Sequence, residues 1–163
     1  MLKKYLYVFL ISMIPLLELR AAIPVAQSFH EMDNSFSMPL AYCIAVIGNM
    51  LPVPFIFFFA RKILEWGADK PVIGPFFSFC LEKGHKAGEK LKAASGRGLY
   101  IALLLFVGIP VPGTGAWTGT LAASLLDMDF KKSTIHIMLG VLLAGVIMAT
   151  VSLVVAGGFR LAS

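Results

Sequence analysis

Uncharged runs, and the breaks inside them, organise this chain. Four apolar regions stand out: Tyr5–Phe29, Pro39–Ala60, Leu99–Leu126 and Thr134–Phe159. A helix needs about 20 apolar residues to cross a bilayer. The second region, PLAYCIAVIGNMLPVPFIFFFA, and the fourth, TIHIMLGVLLAGVIMATVSLVVAGGF, meet that length and predict two spanning helices. The first and third are built differently. Each has an apolar limb, a Pro-rich polar break, then a second short limb. In the first region the break is LLELRAAIP, where Glu18 and Arg20 stand between Pro15 and Pro24. In the third it is GIPVPGTG, Gly108–Gly115. Leu99–Val107 makes about 14 Å of helix, enough to reach the middle of a hydrocarbon core about 30 Å thick and no further. Tyr5–Leu17 makes about 20 Å. Each broken region therefore reads either as a re-entrant hairpin, returning to its own side, or as one broken span.

The order is broken region, span, linker, broken region, span. That is a two-fold repeat within one membrane domain, 1–163: repeat 1 about 1–65, a linker about 71–95, repeat 2 about 96–163. If each half is a hairpin plus one span, the halves enter from opposite faces. Inverted repeats with broken helices place transporter sites at the midplane, where the breaks meet. A four-helix bundle with Pro/Gly kinks is the competing architecture.

Composition sets the solvent. The chain is 58% hydrophobic and 14% charged, against roughly 25% charged in soluble domains. A chain of this length buries only about 70% of its surface on folding. The apolar excess must face lipid, so the fold class is all-α, a polytopic integral membrane protein in the cell inner (plasma) membrane.

Charge adds a side. Eight of the fourteen Lys/Arg lie between Arg61 and Arg97, which places that stretch in the cytoplasm by the positive-inside rule. Two hairpins and two spans leave ten Lys/Arg inside against three outside; four spans leave eleven against two. Charge does not choose between them. The linker PFFSFCLEKGHKAGEKLKAAS sets Lys83, Lys86 and Lys90 at helical spacing, with Glu82–Lys86 an i,i+4 pair. It reads as an interfacial amphipathic helix on anionic membrane lipids, or as a solvated loop helix. Nucleic-acid binding is excluded, because the basic stretch is short and flanked by membrane segments. The N-terminus resembles a signal peptide, but Glu18 and Arg20 spoil its cleavage region. Cys43 and Cys80 have no metal-ligand spacing, and His30, Glu31 and Asp33 are too local for a metal site. No cofactor is expected. No Walker, G-x-S-x-G or H-E-x-x-H sequence is present, and no nucleophile–base pair argues for an enzyme.

The breaks carry the candidate chemistry. Ionisable residues inside a bilayer are costly and face a cavity or each other. Glu18 and Arg20 share no face on a regular helix, but could in a non-helical turn with Pro15 and Pro24 at its ends. Backbone outside helical geometry at this depth must be wet or buried in protein. The motif therefore predicts a polar pocket within the membrane. The second break supplies its wall. Gly113 and Gly115 permit sharp turns, Pro110 and Pro112 stiffen the entry, and Thr114, Thr118 and Thr120 offer hydroxyls. A helix starting near Thr114 would aim free N–H groups at the midplane, where they attract anions. Arg20 adds positive charge, Glu18 either holds Arg20 or exchanges a proton, and Trp117 stacks on a ligand or packs against the first break. Asn49, beside Gly48, is a further polar candidate, for the site or as glue between helices. The substrate-binding set is thus Glu18, Arg20, Pro24, Asn49, Pro112, Gly113, Thr114, Gly115, Trp117 and Thr118, and the ligand an amphipathic, anionic one.

In combination, PLLELRAAIP, the Gly48–Pro54 stretch GNMLPVP and PVPGTGAWTG resemble the small multidrug export protein family over nearly the whole chain. That family more distantly resembles the DedA and VTT membrane proteins. The resemblance implies two facing re-entrant hairpins, and it implies transport of a small molecule or lipid phosphate, with proton coupling. This chain lacks the Arg-rich second motif of the DedA group. The expectation is a transporter or lipid translocase acting as a homo-oligomer, since two hairpins and two spans give few walls. The alternative is a non-transporting membrane scaffold whose Glu–Arg pair is structural.

Overall fold

The computed structural model describes residues 1–60 and 97–162, the side chains of 60, 97 and 156–162 excepted, plus isolated positions between the two stretches. The described residues are helical, without strands. The helices are α1 (Leu2–Met13), α2 (Glu18–Met32), α3 (Met38–Met50), a short α4 (Val53–Phe55) running into a π-helical turn (Ile56–Ala60), α5 (Arg97–Gly108), α6 (Ala116–Leu125) and α7 (Phe130–Ala162). The expected linker helix lies outside the described residues; of its contacts, the Glu82–Lys86 ion pair is described.

Proline chemistry sets several ends. A residue before proline avoids helical ψ. Ile14, before Pro15, is accordingly extended (φ −72°, ψ 129°) and stops α1. Ile109 precedes Pro110, and α5 stops at Gly108. Pro39 lies in the first turn of α3, where no donor is lost. Pro52 and Pro54 lack the N–H groups that Gly48 and Met50 carbonyls would accept, and the π-helical turn follows. At the start of α7, Asp129 Oδ1 accepts the Lys132 amide at 2.8 Å, an N-cap.

Met38–Phe59 and Phe130–Val155, 22 and 26 residues, are long and apolar enough to cross a membrane. Only 39% and 33% of an apolar 18-residue window within each is buried, whereas the core helix of a soluble protein is mostly buried. Ile47, Phe55, Leu153 and Val154 stand exposed along them, as lipid-facing residues do. This is a membrane protein.

The two halves are packed alike. In the first, α1 runs beside α3 in the same direction: Tyr5 Oη accepts the Ser37 amide at 2.9 Å, and a Cβ on Gly48 would meet the Phe9 carbonyl at 2.8 Å. In the second, α5 runs beside α7 likewise. Tyr100 packs on His136, and a Cβ on Gly140 would meet the Leu104 carbonyl at 2.7 Å. Each second limb packs on the other half's long helix, α2 on α7 and α6 on the π-helical turn. The end of the first span meets the start of the second, with Phe57 and Phe58 rings 5.1 and 4.6 Å from Phe130.

The loop after α2 is pinned at the far end. Phe36, fully buried, stacks on Tyr5 at 4.5 Å. Lys4 Nζ pairs with Asp33 at 2.8 Å. The Lys4 hydrogen bond, helped by Ser35, holds the Asp33 carboxyl well below the usual carboxylate range.

Candidate functional site

The two breaks meet. The first, 14–17, and the second, 109–115, form elbows at the ends of α1 and α5. Gly48, beside Phe9 and Ser12, is the eleventh residue of the 22-residue stretch Met38–Phe59. Gly108 packs on Leu143, fourteenth of the 26 residues Phe130–Val155. The last turn of helix before each elbow thus packs against the middle of its own span.

Glu18 is the first residue of α2 and is buried, 4% exposed. Its Oε2 accepts the Ala116 amide and its Oε1 the Trp117 amide, both at 3.0 Å. These are the first two N–H groups of α6, which have no partner within that helix. The carboxylate sits where the helix dipole favours negative charge. Gly115 makes room: a Cβ there would lie 2.7 Å from Glu18 Cδ. Its φ of 137° and ψ of −172° belong to backbone that only glycine readily adopts.

Arg20, two residues on, turns to the opposite pole. Its guanidinium donates to the Val111 carbonyl, to Thr114 Oγ1 at 2.6 Å and, at 3.5 Å, to the Ile109 carbonyl. These groups follow the C-terminal end of α5, where positive charge is favoured. The second half reciprocates. Trp117 Nε1 donates to the Met13 carbonyl, the last residue of α1, at 3.2 Å. One half therefore supplies a carboxylate and a guanidinium to two helix ends of the other, and receives an indole on one of its own.

The family model described as "Putative small multi-drug export protein" matches residues 18–147. The chain belongs to this family. The match opens on Glu18 and takes in both members of the clasp, Glu18 with Ala116 and Trp117. No curated protein and no solved structure matches significantly.

Within this member of the family, the elbow junction gathers Glu18, Arg20, Thr114, Gly115 and Trp117 from the expected set. Glu18 and Arg20 do not bond each other, as a local turn would have had them do. Each is bonded to a helix end about a hundred positions away. The helix expected near Thr114 starts at Ala116, and the anion on its N-terminus is the protein's own Glu18. Trp117 packs against the first break, one of its two expected roles. Thr118 bonds back to the Gly115 carbonyl at 3.5 Å. Pro112 and Gly113 form the tip of the second elbow, Gly113 with φ 84°. Two expectations differ in place. Pro24 lies inside α2 and does not end the turn; it removes only the hydrogen bond to the Arg20 carbonyl. Asn49 is buried in α3, 2% exposed, with Oδ1 unpartnered and no bond to either elbow. Sequence reasoning missed the Ala116 amide and the Met13 carbonyl, because apolar residues contribute them through backbone alone. Their one signal was position at a helix end beside a break.

Proposed function

We propose that the protein is a secondary transporter exporting amphipathic small molecules, with the elbow junction as its gate. In this reading each half is a re-entrant hairpin plus one span. The halves are inverted, the 61–97 stretch is cytoplasmic, and copies assemble so that the elbows face a shared path in the plasma membrane. One observation carries it: a buried carboxylate from one half holds the first amides of a half-length helix from the other. Broken helices meeting at mid-depth are the usual place for a transporter's site. A clasp made by a single ionisable group can be undone by a single proton. The protonated carboxyl loses charge-assisted bonds to both amides, α6 is released, and the junction opens. Export would then draw on a proton gradient. A lipid phosphate is the competing cargo for the same gate.

Glu18→Gln tests this. In proteoliposomes, the wild type should move an amphipathic dye faster under an imposed pH gradient than without one. The variant, still monodisperse by size exclusion, should lose that acceleration by about tenfold or more. Undiminished gradient-driven transport by Glu18→Gln would overturn the reading.

A further inference from the structure

Arg20 is left with a charge that its own hydrogen bonds do not match. Its acceptors, the Val111 and Ile109 carbonyls and Thr114 Oγ1, are all neutral. Glu18, the only carboxylate in either elbow sequence, has both oxygens on α6 amides. Glu18 offsets part of the Arg20 charge across space without bonding it; the neutral acceptors add nothing to that offset, so a second anion would be favoured at a half-buried guanidinium in apolar surroundings. The guanidinium also has capacity to spare. It carries five N–H donors, and the 3.5 Å contact to Ile109 is at the weak limit.

The rim is apolar on both sides. From the first elbow Ile14, Leu16 and Leu17 stand exposed, and from the second Ile109 and Val111. Arg20 itself is half-buried between them. A forked cation within an apolar collar fits one kind of ligand. We propose that Arg20 recognises the acidic head of an anionic amphiphile, a carboxylate or phosphate carried on an apolar tail that lies over Leu16 and Val111. This rests on the transport reading and narrows its substrate. The fork favours a planar or tetrahedral oxyanion, which can take two N–H groups at once. A cationic amphiphile of equal length meets the same collar and is repelled by the same guanidinium.

Equilibrium binding to the full chain in neutral maltoside detergent tests it, by titration calorimetry. The probes are dodecyl phosphate, dodecanoate, dodecyltrimethylammonium, inorganic phosphate and dihexanoyl phosphatidic acid. Dodecyl phosphate and dodecanoate should bind the wild type, the trimethylammonium compound and inorganic phosphate should not. Binding of phosphatidic acid as tight as dodecyl phosphate assigns the head group to a lipid source; weaker binding assigns it to a free acid. Arg20→Gln should bind dodecyl phosphate roughly tenfold more weakly or worse, with Arg20→Lys between, having charge without the fork. Should Arg20→Gln fail to fold, the anion-to-cation comparison on the wild type decides alone. Equal affinity for the two dodecyl ions, or unchanged affinity in a folded Arg20→Gln, overturns the inference. Gradient-driven transport of a cationic dye without anion binding sinks this inference and leaves the transport reading standing. Anion binding without transport of any probe does the reverse.

Discussion

At the scale of single residues, the junction depends on a missing side chain. Gly115 lets the Glu18 carboxylate approach the backbone of α6 where a methyl group would stand. Its neighbours on the other elbow accept strain for the same contact: Leu16 and Glu18 have φ of 73° and 49°, uncommon for residues with side chains. Such strain persists only where surrounding contacts hold it. Gly115→Ala should therefore cost twice, about 1–3 kcal/mol for the backbone and about 1.5–3 kcal/mol for each displaced bond to the carboxylate. Thermal unfolding in detergent should show a large drop in midpoint; an unchanged midpoint would mean that the clasp does not hold the elbows. The residue types were legible in the sequence, because a charge between prolines in an apolar run demands a reason. Their partners were not. Glu18 reaches an amide 98 positions away, and no local rule ranks that over Arg20 two positions away.

Elements were more legible than contacts. Both elbows fall where a residue precedes proline, so the ends of α1 and α5 follow from local sterics. Pro24 shows the limit of that rule, since a proline inside a helix held by packing costs one bond without ending it. Packing between elements depends on glycine notches instead. Gly140 admits α5 so closely that a Cβ would meet the Leu104 carbonyl at 2.7 Å and Val107 Cβ at 2.8 Å. Backbone cannot swing aside as a side chain does. Small residues at helix contacts are how membrane helices approach closely. Gly140→Ala should push α5 off α7 and destabilise by about 1–3 kcal/mol, as overpacking does. By contrast, Gly108→Ala meets Leu143 Cδ2, the far end of a flexible side chain, and should cost less. Paired melts of the two variants check the order; an equal or reversed order would place the tight contact elsewhere.

For the whole molecule, the sequence shows the same order of apolar runs in each half, broken then spanning, and among the described helices α1 packs on α3 and α5 on α7. What sequence could not choose was hairpins or four spans, because moving Lys3, Lys4, Arg160, Lys131 and Lys132 between sides changes the charge balance too little. Two contacts bear on that choice. Lys4 pairs with Asp33, so the start of α1 and the end of α2 share one end of the molecule. Phe57 and Phe58 meet Phe130, so the end of the first span and the start of the second share another. On the hairpin reading, α1 and α2 keep Met1 and Met32 on the same side, and the span after them carries the chain across to Phe130. With Cys43 and Cys80 replaced by Ala, Met32→Cys and Lys131→Cys should thus react with a membrane-impermeant thiol reagent from opposite faces, position 131 from the cytoplasmic one. Both positions are exposed, so labelling reads side and not burial. If α1 and α2 together made one broken span and α5 and α6 another, both cysteines would label from outside. That outcome would separate the elbows from the inverted arrangement and leave the Glu18 clasp as a fastening within a four-span bundle.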